Sequence, residues 1–378
     1  MKRTNPNIFI AVLLIFVLLF SIMTIYAFGE KKATKSSFSA ISAALYLPET
    51  KTFVYSKNSS KQMPMASTTK IMTALVALDR ADLDEAVTVD DSAIGIEGSS
   101  AYLQHGDVLS MEELLYALLL QSANDAAVAI ACHIGGSLSG FVDMMNEKAT
   151  EIGLSNTHFT NPHGLDHEDH YTTAEDLAIL AAVALENPTF KMITSTYKKS
   201  FVSEERCRTY FNHNKLLLRY DGCIGVKTGY TKRSGRCLVS AAERDGLCYI
   251  GVTLNAPNDW NDHQAMLDQG FEAMEKISFA TNFDHLYKIP VIEGKRDFLV
   301  AANTDAASII VKKGEHEINE YVKLARYVIA PISKGDILGE IIYTLDGKEA
   351  ARVQIVATES IEKEEKNGLF SKLFSNKK

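Results

Sequence analysis

Three short stretches of this chain carry side chains that could act together on an acyl group. Ser67 and Lys70 stand three apart in MPMASTTKIMTALVAL, and residues three apart on a helix share a face. A hydroxyl and an amine so placed can serve as nucleophile and base. The lysine must first be stripped of its proton by burial or by a second cation. Met65, Ile71 and Met72 could supply that burial. Read alone, Ser67 is better explained as a helix cap. That reading leaves Lys70 unaccounted for, because a cation sits poorly at the positive end of a helix dipole. S-x-x-K occurs four times, starting at Ser67, Ser195, Ser360 and Ser375, and within the globular region only the first leads directly into an apolar helix.

The second stretch is Ser122-Ala123-Asn124, a break between two helical patterns where a hydroxyl and an amide can face a cleft. The same spacing recurs at Ser56-Lys57-Asn58. The third is Lys227-Thr228-Gly229, the one K-T-G in the sequence, at the end of a strand-like run. Each motif is weak by itself. Together, in this order and on these element types, they form the set used by serine β-lactamases and penicillin-binding proteins.

These residues need a scaffold to converge. SAISAALYL and TFVYS read as two strands, followed by a helix over about 67–80. Ser110 with Glu113 is a capping box ahead of LLYALLL. Further helices are expected over 125–134, about 139–152 and 174–186, the second of them stopped by Gly153. CIGVKT, GRCLVSAAE and LCYIGVTLN then read as successive strands, closed by a helix over about 259–277. The order predicts a mixed α/β (α+β) sheet with a helical insertion. No G-x-G-x-x-G is present, and a doubly wound nucleotide-binding fold is excluded. From about 283 the runs ASIIVKK, EYVKLARYVIA, DILGEIIYTL and AARVQIVAT predict a small all-β domain, with Asp346-Gly347 as a hairpin turn.

The expected organisation is 1–29 signal peptide or membrane anchor, 30–37 linker, 38–280 catalytic domain, 283–358 β domain and 359–378 tail. The apolar run at 8–28 is long for a cleaved signal and about long enough to span a bilayer, so both readings stay open. In the tail, Leu369, Phe370, Leu373 and Phe374 share one helical face among lysines, the pattern of a helix lying on a membrane surface. A frayed end fits equally well. A net charge of −8 argues against a nucleic-acid partner. Five scattered cysteines make no disulfide framework and contain no C-x-x-C. His158, His163, His167 and His170 invite a metal reading, but Pro162 and Gly164 break the segment, and a polar loop is expected. No metal or cofactor is called for.

Beyond the three motifs, QSANDAAVAIA, NPHGLDHEDHYTTAEDLA, NKLLLRYDGCIGVKTGYT, SGRCLVSAAERDG and PISKGDILGEIIYTLDGK resemble the low-molecular-weight penicillin-binding proteins that act as serine D-alanyl-D-alanine carboxypeptidases. The resemblance spans about 38–358. It implies a β-lactamase/penicillin-binding-protein-like catalytic domain and removal of the terminal D-alanine from peptidoglycan pentapeptides. Ser67 would form the acyl-enzyme, with Lys70 as its base. Ser122 would relay a proton to the leaving D-alanine, and Asn124 would position the peptide. Lys227 and Thr228 would receive the substrate carboxylate. The backbone N–H groups of Ser67 and Tyr230, beside Gly229, would form the oxyanion hole. The implied partners are peptidoglycan, β-lactams as covalent inhibitors, and the outer side of a bacterial cytoplasmic membrane. Three departures stand out: Ala123 for a common Gly, Tyr230 for an occasional His, and Asn212-His213-Asn214-Lys215 for the usual approach to the third motif.

Other functions fit parts of the pattern. A β-lactamase of the same fold would need a separate deacylation base, typically a Glu–Asn pair, and Thr172 stands four residues after Glu168. A non-catalytic muropeptide-binding protein would not need all three motifs intact. An endopeptidase acting on crosslinks would use the same residues.

Overall fold

The structure, a computed structural model, describes residues 38–202 and 206–365. The apolar run at 8–28 and the amphipathic residues 369–374 lie outside them. The chain divides into two units, and every described strand and helix belongs to the second, Ala40–Lys378.

Five antiparallel strands make the sheet that carries the site: β1 (Ser42–Leu47), β2 (Thr52–Lys57), β7 (Cys223–Thr231), β8 (Gly235–Arg244) and β9 (Leu247–Leu254). Their order is β2-β1-β9-β8-β7, so the two N-terminal strands join three strands from late in the chain. Alternation on β9 shows how both faces are covered. Ile250, Val252 and Leu254 join a core made largely of helices. Tyr249 meets Phe271 edge to face, and Thr253 meets His263, both from the helix that follows the sheet. Residues two apart share a face, so one strand reads as apolar throughout because both sides are buried.

The helices are α1 (Lys70–Arg80), α2 (Met111–Leu119), α3 (Asn124–Gly135), α4 (Leu138–Glu151), α5 (Ala174–Glu186), α6 (Pro188–Ser195) and α7 (Asp259–Ala273). In α1 every residue from Lys70 to Ala77 is buried. Helix starts follow side-chain chemistry. Ser110, Ser137 and Thr173 each accept an N–H three residues on, and Asn187 accepts from Thr189 and Phe190 at the start of α6. Two further antiparallel pairs are β3 (Ala86–Thr88) with β4 (Val108–Ser110) and β5 (Lys198–Val202) with β6 (Cys207–Phe211).

The remainder is all-β: β10 (Met274–Ala280), β11 (Leu286–Ile292), β12 (Phe298–Asn303), β13 (Ala307–Lys312), β14 (Ile318–Leu324), β15 (Val328–Ile329), β16 (Ile337–Leu345) and β17 (Lys348–Ala357). Six of these form the sheet β14-β16-β17-β12-β11-β15, and β10 pairs with β13. The hairpin at Asp346-Gly347 has positive φ at both residues, as its turn type requires.

Three expectations change. The helix placed over 259–277 ends at Ala273, because Met274 onward pairs as β10 with β13, and that ladder overrides local helix preference. EYVKLARYVIA is two strands, one pairing β16 and the other β11. β11 itself is masked in the sequence by Pro290. It tolerates the missing N–H because only Val291 and Ile292 pair on its far side.

Candidate active site

Ser67 sits on a 3-10 turn, Ala66–Thr69, that runs straight into α1. Lys70 is therefore the first α-helical residue, one turn behind the serine. Its side chain is fully buried. The amine lies 3.1 Å from Ser67 Oγ, 2.6 Å from Asn124 Oδ1 and 2.6 Å from the carbonyl oxygen of His163. Asn124 donates its Nδ2 to the Glu97 carbonyl, which turns Oδ1 toward the lysine.

That geometry decides what the amine can do. Both carbonyl oxygens only accept. A neutral amine has two N–H bonds and one lone pair. With the N–H bonds given to Asn124 and His163, the lone pair faces Ser67, whose hydroxyl can then donate to it. Burial drives the pKa of Lys70 well down, and the charge of Lys227 drives it further, against a smaller opposing pull from Asp125. Lys227 is itself buried on β7, where burial lowers its pKa to about 7, and its amine donates to the Thr228 carbonyl.

The second motif is held at the start of α3. Ser122 is buried with φ of +62°, and Asn124 donates its N–H to the Ser99 carbonyl. Asp125 accepts from the N–H groups of Ala101 and Leu103 and from Ser100 Oγ, so the 99–103 loop is clamped to the helix N-terminus. β7 approaches the Ser67 turn so closely that a Cβ on Gly229 would stand 3.0 Å from Ser67 N. Ser67, Ser99, Ser122, Thr228, Gly229 and Tyr230 line one cleft of about 350 Å³. Its far wall carries Arg236, paired with Asp259 at 2.9 Å and lying over Trp260.

All eight residues expected at the site thus meet in one place. Four line the cleft with Gly229, while Lys70, Asn124 and Lys227 lie buried behind it. The sequence reading missed the acceptor on Lys70 from His163, because a backbone carbonyl leaves no mark on residue type. It also missed the clamp by Asp125, although the Ser-x-Asn-Asp run contains it. The histidine segment is a loop packed on α1, and no group of three metal-ligating side chains occurs among the described residues. His163 and His170 nonetheless touch the catalytic turn from behind the cleft, the His163 carbonyl accepting from Lys70 and the His170 ring meeting Thr69. Burial lowers their pKa values to about 4 and about 3. All five cysteines are free.

A family model described as D-alanyl-D-alanine carboxypeptidase matches residues 29–258. The chain belongs to the D-alanyl-D-alanine carboxypeptidase family. A second model, for the penicillin-binding protein 5 C-terminal domain, matches 275–363. D-alanyl-D-alanine carboxypeptidase DacF of Bacillus subtilis is 33% identical over 375 residues, 96% of this chain and 95% of that protein. Penicillin-binding protein 5 of Haemophilus influenzae shares the fold with a TM-score of 0.63 at 27% identity, over 88% of this chain and all of that one. The Streptomyces K15 DD-transpeptidase superposes with a TM-score of 0.60 at 34% identity, over 63% of this chain and 99% of its own. Among carboxypeptidases of this family, the present chain therefore carries both the mixed α/β catalytic fold and the C-terminal all-β sheet system.

Proposed function

We propose that this chain cleaves the terminal D-alanine from peptidoglycan pentapeptides through an ester on Ser67. The observation that carries the proposal is the buried Lys70 amine, with two fixed acceptors and its remaining direction toward Ser67 Oγ at 3.1 Å. Lys70 takes the Ser67 proton as Oγ bonds to the carbonyl carbon of the penultimate D-alanine. The N–H groups of Ser67 and Tyr230 hold the resulting oxyanion. The proton passes from Lys70 through Ser122 to the departing nitrogen, the C–N bond breaks, and D-alanine leaves as an amine. Water then attacks the ester, and its proton returns Ser67 to the hydroxyl. Asn124 orients Lys70 and the peptide. Lys227, with Thr228, meets the substrate carboxylate and keeps Lys70 neutral. β-Lactams react at the same serine and form a persistent ester.

Incubation with a D-Ala-D-Ala peptide should release free D-alanine, and Ser67→Ala should release none. Equal release by the variant would sink the assignment. A labelled penicillin should leave a lasting adduct on Ser67. Rapid turnover would instead favour a β-lactamase, and absence of any adduct a binding protein. We further propose that the catalytic domain, expected over 38–280, ends at Ala273, and that the residues from β10 to 358 form a β domain that holds it off the membrane. The apolar run at 8–28 takes the enzyme to the outer side of the cytoplasmic membrane. A mature protein found only in the soluble cytoplasmic fraction would refute that placement.

A further inference from the structure

His170 lies outside the cleft, yet it is buried and hydrogen-bonded at both ring nitrogens. Its Nδ1 accepts the N–H of Thr160 at 3.0 Å, which places the ring hydrogen on Nε2. Nε2 lies 2.7 Å from Thr69 Oγ1 and so donates to it. Thr69 must then send its own hydrogen elsewhere, and the Ala66 carbonyl oxygen lies 2.8 Å away. The Ala66–Ser67 peptide is planar and trans, so its oxygen and the Ser67 N–H point to opposite edges of one plane. Holding the oxygen aims the N–H. Ala66 needs such holding, because its φ is +48°, a region that an alanine seldom occupies. The same carbonyl is boxed in by Gly164, where a Cβ would come within 2.0 Å of it.

We propose that His170 is a positioning residue that aims the Ser67 backbone N–H at the oxyanion through Thr69 and the Ala66 carbonyl. The inference rests on the reading of Ser67 as nucleophile and oxyanion donor. It gives the histidine segment a purpose: the ring acts as a one-way donor whose direction the Thr160 N–H sets. An oxyanion forms in both acylation and deacylation, so both steps use the relay, while the initial non-covalent encounter does not.

The test uses the full chain and a labelled penicillin, with time courses that separate the non-covalent Kd from the acylation rate constant. His170→Ala and Thr69→Val should each slow acylation about ten- to a hundredfold, part of what loss of an oxyanion donor costs. The Kd should stay within about threefold, as expected for an interaction made only in the transition state. His170→Gln should recover most of the rate, since an amide can accept from Thr160 and donate to Thr69. The double variant should be no slower than the slower single one, because both break one chain. A rate within about twofold of wild type in Thr69→Val, a loss confined to Kd, or single effects that multiply in the double variant would overturn the relay. If His170→Ala does not fold, Thr69→Val and His170→Gln decide it. An adduct that survives in Ser67→Ala would instead overturn the nucleophile assignment, a separate outcome.

Discussion

At Lys70 and Lys227 the protein holds two amines in one buried site. Burial lowers the pKa of both, and the charge of Lys227 lowers that of Lys70 further. Lys70 works only when neutral, and the Lys227 charge helps keep it so. Lys227→Gln removes that repulsion. The pKa of Lys70 should then rise, and the acid limb of the acylation profile should move to higher pH. Lys227→Arg, which retains the charge, should leave the limb nearer its wild-type place. A pH series of acylation rates checks this, and an unmoved or acid-shifted limb in Lys227→Gln would contradict it. Much of this was legible in residue type. A serine and a lysine three apart imply one face, and K-T-G supplies a second cation. The orientation of the amine was not legible, because it depends on the carbonyl of His163 and on which way Asn124 turns.

Among the elements, the turn ahead of α1 is pressed from two sides by glycines. Gly164 has φ of +91° and leaves no room for a Cβ against the Ala66 carbonyl. Gly164→Ala should therefore destabilise the protein by more than about 1 kcal/mol, since alanine is strained where φ is positive and the contact adds to that strain. Thermal unfolding measures it, and an unchanged Tm would contradict the packing. Gly229→Ala meets a looser limit, 3.0 Å from Ser67 N. It should slow acylation more than it lowers Tm. Asp125 joins α3 to the 99–103 loop. Asp125→Ala strands the N–H groups of Ala101 and Leu103, and should lose about 1–3 kcal/mol of stability. In the sequence Gly164 reads as loop punctuation and Gly229 as the last residue of K-T-G. Their close approach belongs to two segments about a hundred and a hundred and sixty residues from the turn, and no local pattern carries it.

Over the whole molecule, buried histidines contribute to the response to acid. Burial lowers His163 and His213 to about 4, and His170 and His263 to about 3. The unfolded chain titrates these rings near 6.5, so between that pH and about 3 it binds more protons than the folded state. Their contribution to stability should be full above about 6.5 and fall steadily toward pH 3. His263 bridges Ser240 and Thr253 beneath the sheet, so His263→Gln should flatten part of that slope, as a series of melts from pH 7 to 4 would reveal. A variant slope equal to that of wild type would contradict its share.

The Ser67 turn is completed by Gly164 from one side and Gly229 from the other, and both follow it by about a hundred residues or more. Ser67 and Lys70 are made early, but they are inert until the loop after α4 and the strand β7 have closed on them. A chain stalled before β7 docks holds both residues and cannot be acylated at the proposed rate. Labelling by a β-lactam on the proposed serine therefore does not count molecules synthesised. It counts molecules that have finished folding, so the ratio of labelled to total protein is a titration of the native fraction, readable in a crude preparation without an unfolding experiment.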